Sequence, residues 1–277
     1  MKNKKKIVLI IIIVLCLLIV FGSVTFLVLK NVNENKTNNE YRQIATSVGI
    51  DAAESLPSEN VTESADSQIS EMPTPDIDTD SNVSPVDFSS LTSQNSDIYS
   101  WIYIPGTNVN YPVCQSYIDD NYYLDHDVYG NYSFAGTIYS QVCNNREFTD
   151  KVTVLYGHNM ANGSMFATLH RFADSSFFES HDKIYIYTSN RKLTYRVVSA
   201  FVYDDRHIMN SFDFSKDDQF QSYLDTIQNP RSVSKNVRSN IDLSLNDKII
   251  TLSTCLNSGD GRYLVNGVLI NNEAIER

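Results

Sequence analysis

Cys255 closes the run Thr251-Leu252-Ser253-Thr254, Arg262 follows seven residues later, and His158 sits far upstream in Tyr156-Gly157-His158-Asn159. A thiol attacks as thiolate, and an unperturbed cysteine is only a few per cent ionised near neutral pH. A histidine beside it can carry the proton. A guanidinium can hold fixed positive charge where an oxyanion develops. Taken singly, each has a plainer reading: an incidental exported cysteine, a hydrogen-bonded loop histidine, a solvated surface arginine. Together they form the set that nucleophilic catalysis requires, provided the fold brings three distant segments to one place.

The elements that must do so are short and rich in aromatic and β-branched residues. Strand-like runs recur at Trp101–Ile104, Val109–Val113, Gly136–Ser140, Lys151–Tyr156, Lys183–Tyr187, Leu193–Tyr203, Lys248–Thr254 and Tyr263–Ile270. Eight such runs, separated mostly by turn-rich segments, predict a mainly β fold, a closed or nearly closed barrel rather than an alternating βα sheet. Pro105-Gly106 supplies type II turn chemistry between the first two. His158 then follows a strand through Gly157, Cys255 ends a strand and Arg262 opens the last one. If the last two strands are neighbours joined by Leu256–Gly261, Cys255 and Arg262 emerge at the same rim.

Helical signals are fewer. Asp87 is read as the N-cap of a short helix carrying Phe88 and Leu91. Ser164 is read as capping Met165–Phe172. Ser215 with Asp218 resembles a capping box ahead of Phe220, Tyr223, Leu224 and Ile227, an i, i+3, i+4, i+7 stripe that should lie on the barrel.

The chain has 277 residues, 17 Tyr and 13 Phe, enough for one sizeable core plus accessory segments. A formal charge of −11 argues against nucleic-acid binding, where a basic stripe is expected. Residues 1–6 are a basic start, with Lys2, Lys4, Lys5 and Lys6. Residues 7–29 are uncharged and largely aliphatic, about 34 Å long as a helix, enough to cross a hydrocarbon core of about 30 Å. A cleaved signal peptide is the competing reading, but the run exceeds the usual apolar region and no small-x-small site follows closely. The lysine bias puts the N-terminus in the cytoplasm and the remainder outside, making a single-pass protein. Residues 30–85 are poor in large apolar residues, and Gln43 to Pro85 holds nine acidic residues and no basic one. That composition predicts a disordered acidic tether ahead of a folded domain at 86–277. Of the four cysteines, Cys16 falls in the apolar run. Cys114, Cys143 and Cys255 match no zinc spacing, and a Cys114–Cys143 disulfide stays open.

With these residues in place the chain resembles the sortases, and within them class B. The resemblance is carried by Thr251 to Cys255 with Arg262, by Trp101-Ile102-Tyr103-Ile104-Pro105-Gly106-Thr107, and by Tyr111-Pro112-Val113. Asn121-Tyr122-Tyr123-Leu124-Asp125-His126-Asp127 and Tyr156-Gly157-His158-Asn159-Met160, continuing to Gly163-Ser164-Met165-Phe166, are the parts most like class B. It extends from about Val86 to Ile270. It implies a sortase β-barrel of about eight strands with N-terminal helices and the 215–228 helix inserted between two late strands. By motif match Cys255 is the nucleophile, His158 the general acid/base, and Arg262 the oxyanion or substrate-orienting group, with no cofactor and no metal. The implied reaction cleaves a C-terminal sorting motif of secreted proteins through a thioacyl-enzyme, then transfers the acyl group to a peptidoglycan cross-bridge amine. A cysteine endopeptidase using water, and a non-catalytic wall-binding barrel, are the alternatives. The Cys255–Arg262 loop, with Asn257-Ser258-Gly259-Asp260-Gly261, is shorter than class B members often carry. Asp260 is therefore read as an exposed turn residue rather than as an orienter of His158.

Overall fold

Nine strands, all but one of them apolar or aromatic in large part, pair edge to edge in the computed structural model, which describes residues 2–47, 85–256 and 260–275. In chain order the strands are β1 (Ile98–Tyr103), β2 (Asn110–Cys114), β3 (Ile138–Tyr139), β4 (Val152–Tyr156), β5 (Lys183–Tyr187), β6 (Arg191–Tyr203), β7 (Lys235–Val237), β8 (Ile249–Cys255) and β9 (Arg262–Ala274). Across the sheet they run β5-β1-β2-β3-β4-β8-β9-β6-β7, and β5 also pairs with β6. Eight strands thus close on themselves, which removes free edges, and β7 lies outside on β6. The closed eight-strand barrel agrees with the sequence expectation. β7 was not anticipated, because three partly exposed residues carry no apolar run.

Packing follows the pleat. Trp101, Val113, Ile138, Leu155, Ile186, Tyr195, Leu252 and Val265 are buried together in the main core. Trp101 keeps its polar edge satisfied by donating Nε1–H to Asn110 Oδ1 at 2.7 Å. Between β1 and β2 the turn closes with Thr107 N–H donating to the Ile104 carbonyl at 3.3 Å. Cys114 is buried and Cys143 exposed, and both are free thiols.

Among the described residues there are five α-helices: α1 (Lys2–Ser47), α2 (Phe88–Gln94), α3 (Ser175–Ser180), α4 (Ile208–Ser211) and α5 (Asp217–Gln228). Asp87 caps α2 as expected, its carboxylate accepting from Ser90 N–H at 3.1 Å. On α5 the predicted stripe is fully inward: Phe220, Tyr223, Leu224 and Ile227 pack against Val152, Val154, Phe201 and Leu264. Burying each large side chain is worth roughly 1.5–3 kcal/mol relative to exposure. Tyr223 also places its hydroxyl 2.6 Å from Thr251 Oγ1 on β8, which ties the helix to the strand that ends at Cys255.

Three expectations need correction. Ser215 does not cap α5: the helix begins after Lys216, and Ser215 Oγ donates instead to Asp213 Oδ1 at 2.5 Å. The segment after Ser164 is not an α-helix but a 3-10 helix at Ala167–Ala173, entered through Met165 at φ +55°. Ser164 Oγ is drawn away to Asn162 Oδ1 at 2.6 Å. Most consequentially, the tether does not begin at residue 30, since α1 continues without a break to Ser47. Glu34, Thr37, Tyr41, Ile44 and Ala45 form one buried face of that extension. Tyr41 donates to the Gly136 carbonyl at 3.1 Å and meets Thr137 Oγ1 at 2.8 Å. Its apolar part is a single turn, Tyr41, Ile44 and Ala45, and the turns before it bury Glu34 and Thr37, so the stripe is too short to stand out in the sequence. The rest of the expected tether, 48–84, lies outside the described residues.

Candidate active site

β8 and β9 are antiparallel neighbours whose register pairs Cys255 with Arg262 directly. Opposed residues in such a ladder share a face, and Arg262 Nη1 lies 3.4 Å from Cys255 Sγ. The same nitrogen donates to the Gly261 carbonyl at 3.3 Å. Gly261 makes the entry to β9 feasible. Its φ is +91°, and a Cβ there would stand 2.6 Å from the Tyr203 carbonyl oxygen. Both Cys255 and Arg262 are partly buried, so the thiol is shielded yet reachable.

β4 runs parallel to β8 on its other side, with Tyr156 level with Ser253. Gly157 N–H extends that ladder by donating to the Ser253 carbonyl at 3.2 Å. His158 therefore follows β4 as Cys255 follows Ser253, at the same end of the barrel. A Cβ on Gly157 would lie 2.5 Å from Ile138 Cδ1 and 2.8 Å from the Phe166 ring, so this approach requires glycine. The His158 carbonyl accepts from Phe166 N–H at 2.9 Å. Its ring Nε2 lies 2.7 Å from the Leu124 carbonyl, and the ring stacks on Phe134 with centroids 5.8 Å apart. A ring nitrogen facing a carbonyl must carry a proton, so Nε2 is the donor there.

Two further side chains close on the nucleophile candidate. Asn159 Nδ2 donates to the Cys255 carbonyl at 3.1 Å, and His170 Nε2 lies 3.2 Å from the same oxygen. His170 stacks on Tyr263, and burial pushes its imidazole below the ordinary value despite the bond to the Cys255 carbonyl. Tyr139 forms part of the adjoining wall. Burial raises its phenol to about 12, with the Arg262 charge acting in the opposite direction.

All three residues singled out from sequence thus stand at one barrel end, with Cys255 and Arg262 in contact and His158 just past the end of the neighbouring strand β4. Asp260 is exposed, and the described partner of the His158 ring is the Leu124 carbonyl instead. Phe134, Asn159 and His170 were missed as site residues. Asn159 lay inside a quoted motif, but nothing in its type says where its amide points. His170 could not be placed at the site from sequence, because its contact with residue 255 exists only once the barrel has closed. His126, in the same loop as Leu124, has its ring Nδ1 2.8 Å from the Tyr122 carbonyl.

An eight-stranded barrel that sets a thiol against a guanidinium at one mouth is the frame of a cysteine acyltransferase, and comparison with known proteins agrees. A family model described as the Sortase domain matches residues 102–270. Sortase B of Listeria monocytogenes serovar 1/2a is 35% identical over 186 residues, covering 65% of this chain and 72% of that protein. The structure of Clostridium perfringens sortase B matches with a TM-score of 0.61 and 30% identity, over 67% of this chain and 100% of that one. Sortase B from B. anthracis, in complex with AAEK1, matches with a TM-score of 0.59 and 33% identity, over 66% of this chain and 84% of that one. The chain belongs to the sortase family, and its relatives place it in class B. It is, in general terms, a cysteine transpeptidase.

Proposed function

We propose that Cys255 is the nucleophile, His158 the general acid/base and Arg262 the group that steadies charge on the thiolate and then on the oxyanion. The Arg262–Cys255 contact at 3.4 Å is the observation that carries this reading. A guanidinium beside the sulfur sets fixed positive charge where negative charge must develop during acyl transfer. The thiolate attacks the scissile carbonyl carbon of a sorting motif near the C-terminus of a secreted protein. As the tetrahedral intermediate collapses, the C–N bond breaks and His158 delivers its proton to the leaving amine. A thioester on Cys255 remains. An amine of the peptidoglycan cross-bridge then attacks that carbonyl and gives up a proton to His158. The C–S bond breaks, the thiolate returns, and a new amide joins the surface protein to the wall. Electrons and protons balance over the cycle.

His158 must release the Leu124 carbonyl to handle these protons. Hydrogen bonds of this kind often rearrange once substrate arrives. α1 anchors the enzyme as a single span, with the N-terminus in the cytoplasm and the barrel outside. That reading is supported by the length of its apolar part, by the absence of charge from residues 7–29 and by the lysines that precede them.

The test is to incubate the full chain in detergent with a sorting-motif peptide, with and without an added amine. Amine-dependent ligation product is expected, and Cys255→Ala should form none. Cleavage that no amine diverts into ligation would make the protein an endopeptidase. No turnover of any sorting-motif peptide would remove the enzymatic reading of these three residues.

A further inference from the structure

Lys30 is the first residue beyond the apolar run, and its ammonium lies 3.9 Å from the centroid of the Phe134 ring. It also faces Glu34 at 3.7 Å. From this turn onward α1 is bonded to the barrel. Asn162 Nδ2 donates to Asn35 Oδ1 at 3.3 Å, Thr37 Oγ1 stands 3.4 Å from Ser133 Oγ, and Tyr111 donates to Asn38 Oδ1 at 3.3 Å. No slack separates the end of the span from the catalytic domain. The loop that carries Phe134 is therefore level with the place where the helix would leave the hydrocarbon. Tyr41, which holds Gly136 and Thr137, stands about 16 Å farther along the helix at 1.5 Å per residue.

That loop is also apolar where it is exposed. Tyr132 is 68% exposed, Phe134 45% and the neighbouring Leu124 43%. Aromatic residues with one wet face and one apolar face are enriched at the membrane–water interface. Clustered exposed apolar residues on a soluble face mark an interaction surface. Phe134 is the ring that stacks on His158, and the Leu124 carbonyl holds His158 Nε2.

We infer that the active-site rim carrying Leu124, Tyr132 and Phe134 rests on the lipid surface of the bilayer that α1 spans. Its aromatic rings lie among the headgroups, and the candidate site opens at the membrane. The occupant of this apolar patch is lipid, because the helix that fixes its height is the one that crosses the bilayer. The inference rests on reading α1 as a membrane span.

Tryptophan emission tests it. The chain has one Trp, Trp101, which is fully buried and gives a constant background. The full chain is reconstituted into phosphatidylcholine vesicles without bromine, with bromines on the upper acyl carbons, which report on the interface, or with bromines near the acyl chain ends, which report on the midplane where Leu18 lies. Four variants are compared: Tyr132→Trp, Phe134→Trp, Leu18→Trp in the apolar run, and Val233→Trp in a fully exposed loop on the β7 side. Bromine should quench the added emission of Tyr132→Trp, Phe134→Trp and Leu18→Trp, and spare Val233→Trp. If Leu18→Trp is quenched while Tyr132→Trp and Phe134→Trp behave like Val233→Trp, the docking is wrong and the span stands. If Leu18→Trp escapes quenching, the span reading fails and the docking falls with it. Tyr132 is largely exposed, so its variant gives an answer even if Phe134→Trp fails to fold.

Discussion

Arg262 is held against Cys255 by β-ladder register rather than by a flexible loop, so its contribution should depend on guanidinium shape as well as charge. Lysine at that position would keep the charge but lose the planar fork of donors. Arg262→Lys should lower kcat/KM by about 100–1000-fold, the size of losing an oxyanion donor, with the far-UV circular dichroism unchanged. A loss under about tenfold would reassign Arg262 to a general electrostatic role. His170 yields a pH prediction. Burial depresses its folded-state pKa, so the neutral ring is the folded form. Stability linked to it is present above the ordinary imidazole value, about 6.5, and is lost as pH falls through it, because the unfolded chain takes up the proton more readily. Urea midpoints of the wild type should therefore drop toward those of His170→Gln between about pH 7.5 and pH 5. Parallel curves would show that His170 titrates alike in both states.

β4 must bring His158 level with Cys255, and Gly157 is where the element is tightest. Gly157→Ala forces a Cβ into Ile138 and Phe166. Overpacking of this kind costs about 1–3 kcal/mol, measurable by chemical denaturation, and should reduce turnover through displacement of His158. A variant with wild-type stability and rate would show that the strand end yields freely. At the outer layer, Leu224→Ala on α5 should cost about 2–5 kcal/mol, since Leu224 is fully buried against the barrel. Much at this scale was legible in the sequence. The strands are short apolar and aromatic runs with local turn chemistry, and the α5 stripe repeats at helical spacing. Of the three caps, only Asp87 was, because Ser164 and Ser215 each found a nearer side-chain acceptor, Asn162 and Asp213. β7 was invisible because its three residues pair by main chain alone. Cys255 and Arg262 could be matched from sequence because strand ends and a short connection constrain both. Phe134 and His170 could not, because loop and 3-10 residues meet the site only through long-range closure.

For the molecule as a whole, the extension of α1 beyond the apolar run changes how the barrel is held. Instead of moving freely on a tether from residue 30, the domain is clasped by 30–47 through Tyr41, which is 2% exposed. Tyr41→Ala should loosen that clasp. Faster amide exchange is expected at residues 131–137, the segment bonded to the helix, with exchange in β8 and β9 unchanged. Unchanged exchange at 131–137 would mean that the helix contributes no lasting contact. The scarcity of large apolar residues that suggested disorder from residue 30 was misleading, because a few side chains, Thr37 and Tyr41 among them, find partners about a hundred positions away.

The central claim is that the Cys255 sulfur carries the acyl group, and intact mass spectrometry tests it most directly. The full chain, mixed with a sorting-motif peptide and quenched in acid within the first turnover, should gain the mass of the acyl fragment. Peptide mapping should place that mass on Cys255, and added amine should discharge it. Cleavage of the peptide with no adduct at any time, or an adduct that persists in Cys255→Ala, would contradict the account.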